Sequence, residues 1–290
     1  MSTVNSLAAE RVQVPPSLRW LPPIEVDDLI RVDGNSDGGY VLPGALLRDA
    51  DVLISMGLGH NWQFEKDARV LNPAIRVYVY DHTVSEEHFK RQYIAEVAAL
   101  LTGKVGLANV QRRRRRVRDY RAFFGKEATH YRERLHDRQD CQSVDITTVF
   151  ARAGEGCAFV KMDIEGAEYR VLEEVVSYAD RILGLAIEFH DIGPLRLVFE
   201  RMMQVVRHRF EIVHVHANNF TPPTATASRR NSRSPSRGGI FYGASGVGRN
   251  SPFRNSIGPT IPDARTIGSR FRNDLDGSLG TTTTWETHCG

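Results

Sequence analysis

The 290-residue chain is 41% hydrophobic with a formal charge of +3, enough apolar material for one large domain or two modest ones. Its three cysteines, Cys141, Cys157 and Cys289, are too few for a disulfide framework and lack zinc-ligand spacing, which points to a reducing, cytoplasmic setting. The opening "MSTVNSLAAERVQVPPSLRW" has no apolar core behind a positive charge, and no later stretch approaches the roughly 20 apolar residues of a membrane span. The charge is uneven: residues 221–290 hold nine arginines, no lysine and four acids, which leaves the body at −2 and argues against a general nucleic-acid surface.

In chain order, "DGNSDGGYVLP" reads as a glycine-rich hairpin or a flap over a ligand. "ADVLISMGLGH" is an apolar strand ending at Gly57, and "NWQFEKDARVL" is the helix after it, with Asn61 as its cap. "AIRVYVYD" is a second strand ending in Asp81, followed by a long polar helical region over residues 86–124. That region contains Arg112 to Arg116, five consecutive arginines without interleaved aromatics, read as a solvated helix or an electrostatic docking patch. "THYRERLH" is a short strand, and "VDITTVFARAG" a helix from Asp145 to Gly154. Then come the buried strand "CAFVKM", the acidic turn "DIEGAE" opening a helix, the strand "RILGLAIEF", a helix from about Pro194 to His208, and the strand "FEIVHVHAN". Alternating strands and helices imply one α/β domain over residues 51–222 with a doubly wound, mostly parallel sheet, preceded by an extension over residues 1–50.

In such sheets ligands bind outside the carboxyl ends of the strands. Gly57 and Gly59 offer close backbone approach there, but Trp62 stands where a dinucleotide fingerprint needs its third glycine, so nicotinamide binding is disfavoured. Asp81 is placed to accept from ribose hydroxyls, or else to cap a turn. Asp163, Glu165 and His190 project from the ends of adjacent strands as candidates for a general base or for orienting hydroxyls, with His190 favoured as base and a divalent ion on the three as a further option. The plainer reading is that Asp163 caps the helix while Glu165 and Glu168 complement its positive N-terminus. Asn218 and Asn219 can face a polyhydroxylated acceptor, and His214 and His216 share a strand face more often seen in half-buried strands than in metal sites.

"DGGYVLP", "ISMGLGHNWQFEKDA", "VYVYDHT", "FVKMDIEGAEYRVL", "EFHD" and "HVHANN" resemble, in that order, the motifs of FkbM-type S-adenosylmethionine-dependent methyltransferases. The resemblance implies a class I, Rossmann-like fold, S-adenosylmethionine as cofactor, and O-methylation of a sugar or natural-product hydroxyl. It places Gly57 and Gly59 along the cofactor's methionine moiety and Asp81 on its ribose, with Ser55 a further cofactor-binding candidate. The partner expected is a small-molecule or glycan acceptor; a non-catalytic binding protein of the same fold and a nucleic-acid methyltransferase are the alternatives.

From residue 223 the composition turns to Ser, Arg and Gly, with ten of the chain's 24 glycines and two leucines beyond residue 220. Disorder is the first reading of residues 223–290, and a regulatory Ser/Arg tail the second. A reading-frame shift near Pro223 is the sharper one: a frame displaced by one base can encode "DRDGIPEELEITF", a strand-like alternation. On that account the sheet lacks the antiparallel strand with which the family fold ends.

Overall fold

A computed structural model describes residues 21, 23–34, 39–136, 143–216 and 240–245. Its centre is β3 (Val52–Met56), buried at every position, as expected of a strand covered on both faces. Parallel to it run β4 (Arg76–Tyr80) and β5 (Thr129–Tyr131) on one side, and β8 (Ala158–Met162) and β9 (Ile182–Glu188) on the other. β10 (Phe210–His216) and β11 (Ile240–Ser245) complete a seven-stranded sheet of order β10-β11-β9-β8-β3-β4-β5. β11 is antiparallel to both neighbours.

The sheet therefore has its antiparallel strand, and the expectation that it is missing is corrected. "IFYGAS" is a short apolar, aromatic run inside the Ser/Arg/Gly-rich region, and an average taken over the whole region hides it. Its backbone donors and acceptors pair with β9 and β10, which would otherwise present open edges. The span proposed for a frame shift, residues 223–236, lies outside the described residues, as do Asn218 and Asn219.

Helices cover both faces. α5 (Ile146–Ala153), α6 (Glu168–Ser177) and α7 (Arg196–Arg207) enclose a cluster with Val52, Ile54 and Met56, while α1 (Gly44–Arg48), α2 (Gln63–Leu71), α3 (Glu86–Leu101) and α4 (Leu107–Phe124) share the opposite cluster with Leu53. Local signals place several ends: the Asp145 carboxylate accepts from Thr148 N at 2.7 Å, Ser85 Oγ accepts from His88 N at 3.0 Å, and Gly154 stops α5 at φ 70°. Asn61 accepts from Gln63 N at 3.1 Å, although the residue that caps α2 is Trp62. A small parallel pair, β6 (Arg134–Leu135) and β7 (Ser143–Val144), lies apart from the main sheet.

The "DGNSDGGYVLP" region forms an antiparallel hairpin, β1 (Leu29–Val32) with β2 (Tyr40–Pro43). Val32, Tyr40 and Leu42 are buried in the cluster that holds Phe64, and Asp33 accepts from Asn61 Nδ2 at 2.7 Å. The hairpin is thus packed into the body with one end against the turn after β3.

Because β11 is hydrogen-bonded on both sides, the amides of residues 240–245 are expected to exchange at least about 10²-fold more slowly than an unstructured peptide. Hydrogen exchange read by mass spectrometry checks this; unprotected rates there would remove β11 from the sheet.

Candidate active site

The turn after β3 is built by the chain's own crowding. Gly57 adopts φ +88°, and a Cβ there would lie 1.7 Å from the Asp163 carbonyl oxygen, so glycine is required by the approach of the β8 end. Asp163 N donates to Met56 O at 2.8 Å and Gly57 N to Tyr80 O at 2.9 Å, which ties the ends of β8, β3 and β4 together. At Gly59, φ +56°, a Cβ would meet nothing within 4 Å, leaving room for a ligand against the backbone.

Asp81 is buried at the end of β4 and holds this turn. One carboxylate oxygen accepts from Leu58 N and Gly59 N at 2.8 and 2.9 Å, and the other from Thr83 N and Thr83 Oγ1, both at 2.6 Å. Burial alone would raise its pKa, but the bonds from Thr83, Gly59 and Leu58 outweigh it and hold the carboxyl below its usual range. All of its roughly four lone-pair sites are therefore taken.

Beneath the turn lies a charged group that the sequence reading passed over. Lys161, 4% exposed in the middle of β8, donates to the Gly57 carbonyl at 3.1 Å and sits 3.5 Å from Oε1 of the fully buried Glu65. Ser55 Oγ donates to the same Glu65 oxygen at 2.5 Å. Ser55 is itself fully buried and meets Glu65 from within the turn. Burial opposes the Lys161 charge, yet Glu65, Asp163 and Asp33 together raise its pKa.

At the ends of β8 and β9 the three candidate catalytic residues converge. His190 Nε2 lies 3.7 Å from Asp163 Oδ1 and 3.5 Å from Glu165 Oε2, while Nδ1 is 3.0 Å from Oε1 of the fully buried Glu168. That Glu168 oxygen also accepts from Ile164 N at 3.0 Å, and its second oxygen has no hydrogen-bond partner among the described residues. Glu168 therefore orients the imidazole and directs Nε2 toward Asp163 and Glu165. Glu165, at φ 54°, carries the left-handed conformation that lets the turn pass from β8 into α6. Burial works against a charged imidazole, but Glu168 and Asp163 more than compensate and raise His190 to about 9. Burial likewise pushes Asp163 above the usual carboxylate range, against the pull of Lys161 and His190. One ligand atom each from Asp163, Glu165 and His190 lies within 4.8 Å of the others, a set a divalent ion could share. His214 lies at an irregularity in the β10 pairing, and the His216 side chain is outside the described residues.

Six strands running one way with antiparallel β11 set between two of them, and a carboxyl-end crevice lined by a glycine turn, Asp81 and an Asp-Glu-His cluster, make a Rossmann-like fold. The profile of the methyltransferase FkbM domain matches residues 57–233, and the chain belongs to that family of S-adenosylmethionine-dependent methyltransferases. No relative was found among curated proteins. Among solved structures the chain is similar to a precorrin-6y C5,15-methyltransferase from Geobacter metallireducens GS-15, with 12% identity, 69% of this chain and 83% of that one covered, and a TM-score of 0.34. It is also similar to a putative methyltransferase from Thermobifida fusca YX, with 15% identity, 68% and 73% covered, and a TM-score of 0.32. An O-methyltransferase family protein from Burkholderia thailandensis shares 12% identity over 70% of this chain and 53% of its own, with a TM-score of 0.34.

Removing one partner of a buried pair strands the other's charge, so Lys161→Met is expected to lower stability by about 3–5 kcal/mol, and adding Glu65→Leu to recover part of that loss. Urea unfolding measures both; a loss below about 1 kcal/mol would show that Lys161 does not hold the turn. For His190, proton NMR titration is expected to give a pKa near 9, and Glu168→Gln to move it toward the ordinary value of about 6.5. A raised folded pKa means that this contribution to stability is complete below about 6.5 and is lost as pH rises through about 9. An unshifted imidazole would refute the role given to Glu168.

Proposed function

We propose that the chain is an S-adenosylmethionine-dependent O-methyltransferase acting on a hydroxyl of a sugar or another polyhydroxylated small molecule. The observation that carries this reading is His190, held through Nδ1 by buried Glu168 with Nε2 facing Asp163 and Glu165 at the strand ends. The open backbone at Gly59 and the turn fixed by Asp81 suit a cofactor beside that cluster. When bound, the cofactor supplies an electrophilic methyl on a sulfonium.

A neutral alcohol is a poor nucleophile, and His190 Nε2 is the base that takes its proton as the oxygen attacks the methyl carbon. With that cofactor bound, the electron pair of the carbon–sulfur bond would go to sulfur, and the products would be a methyl ether, a thioether and a protonated His190 imidazole. Asp163 and Glu165 accept from neighbouring hydroxyls and hold the attacking oxygen in line, which supplies much of the rate. With a pKa near 9, about one molecule in a hundred has a neutral His190 at pH 7; a sulfonium charge beside it would lower that pKa and increase the share. Ribose hydroxyls would reach Asp81 by replacing the Thr83 hydroxyl, the one of its four donors that sits on a rotatable side chain.

In a second reading, favoured by the 4.8 Å convergence of Asp163, Glu165 and His190, these three would hold a divalent ion, which would supply Lewis acidity toward the acceptor hydroxyl.

Calorimetry with S-adenosylmethionine, followed by an acceptor screen, tests the proposal. Asp81→Ala is expected to weaken cofactor binding by roughly 1–3 kcal/mol, and His190→Ala to cut turnover about 10²-fold or more while leaving cofactor affinity in place. Loss of affinity on His190→Ala would make that residue structural, and cofactor binding without any methylated acceptor would favour a binding protein. Activity abolished by a chelator and restored by Mg²⁺ would favour the metal-assisted route.

A further inference from the structure

The arginine run of α4 lines a groove of about 840 Å³ between that helix and the start of α2. Its opposite wall includes His60, which directly follows Gly59, so the groove adjoins the glycine turn. Six lysine and arginine side chains line it against one carboxylate, Asp119. Asp119 is already engaged: it accepts from Trp62 Nε1 at 2.8 Å and from Lys66 Nζ at 2.6 and 2.5 Å. Among the described residues Arg112 bonds only the neutral Asn109, and Arg115 and Arg116 form no ion pair. Of the other arginines on this helix, Arg113 outside the lining pairs with Glu96, and Arg121 at the far end of the lining pairs with Glu86. The helix does not need the unmatched ones for packing, because Val110, Val117, Tyr120 and Phe123 form its buried stripe.

We propose that this groove binds a small molecule bearing two or more phosphate groups. Unneutralised guanidinium groups gathered in a concavity repel one another, and an oxyanion relieves that repulsion with paired N–H donors. The α4 cations of the lining run from Arg112 to Arg121, a rise of about 14 Å along the helix, too long for a single phosphate to engage the set, whereas a di- or triphosphate engages more of it. Single-stranded nucleic acid fits less well, since of the two aromatic rings in the lining Trp62 is 4% exposed, and the His60 imidazole is already set edge-on against His88 and Phe89. The assignment does not depend on methyl transfer.

The experiment uses the full chain and inorganic tripolyphosphate. Calorimetry at about 50 mM NaCl should show binding that weakens several-fold at about 200 mM, as charge pairing requires. Arg115→Glu with Arg116→Glu should lose at least tenfold in affinity. Arg114→Glu, in the same run but outside the groove lining, should lose less than threefold. On the unmutated protein, tripolyphosphate should protect Arg115 and Arg116, but not Arg114, from phenylglyoxal modification read by mass spectrometry. This arm holds even if the double variant fails to fold. Absence of binding, equal losses at Arg114 and in the double variant, or equal protection of all three arginines would overturn the proposal. So would an RNA oligonucleotide binding more than a hundredfold tighter than tripolyphosphate, which would make the face a nucleic-acid surface.

Discussion

Lys161 places an ammonium in a space whose walls include the rings of Tyr40 and Phe64, each 5.8 Å from Nζ. A buried charge of that kind costs several kcal/mol unless it is met by an opposite charge and by hydrogen-bond acceptors. Glu65 supplies the charge from α2 and Gly57 supplies a carbonyl from the turn after β3. The ammonium therefore links β8, the glycine turn and the first turn of α2. Once Gly57 is drawn against β8, its lack of a side chain lets the Asp163 carbonyl approach, and this sets where β8 ends and where the Asp163 carboxylate begins. The neighbouring Glu165 and Glu168, and through Glu168 the ring of His190, are placed relative to that point.

The secondary structure was largely legible because its signals are local. Capping at Asp145, the stop at Gly154 and the apolar runs of β3, β8 and β9 each depend on a few neighbouring residues. β11 was hidden for the opposite reason: its pairing partners lie in β9 and β10, and its own six residues sit in a compositionally polar region. In the site, the meeting of Asp163, Glu165 and His190 was readable, since strand ends in a parallel sheet share one edge. The support was not. Glu65 and Glu168 look like exposed acids in helix first turns, and only the packing shows both fully buried. A sequence signal for Lys161 did exist: a lone lysine inside an otherwise apolar strand, in "AFVKM", must have a partner.

Trp62 stands at the place where a dinucleotide fingerprint has its third glycine. A glycine at this place would let α2 lie close against the strand. The indole instead packs against Phe89, Tyr120 and Phe124, and its N–H reaches Asp119 on α4. α4 is thereby anchored over the start of α2, and its arginines face the segment that leaves the glycine turn. The basic groove is a consequence of that anchor as much as of the arginine run.

The two ends of this surface then carry opposite fields. On the β8 and β9 side, three carboxylates surround one imidazole, a setting that favours cations. On the α4 side, unmatched guanidinium groups favour anions. The mutual effect on nearby titrating groups follows the same division: burial, Arg116 and His88 push the His60 imidazole below its usual value, while His190 is lifted by the carboxylates that face it. For a sulfonium cofactor the acidic side is the attractive one, because positive charge developed or held there is stabilised in the low-dielectric crevice. The same field would repel a phosphate, so an anionic group would be held at the opposite side, beyond the glycine turn. Separation of the two charges across Gly57–Gly59 means that a ligand at one side does not have to be excluded from the other by shape alone.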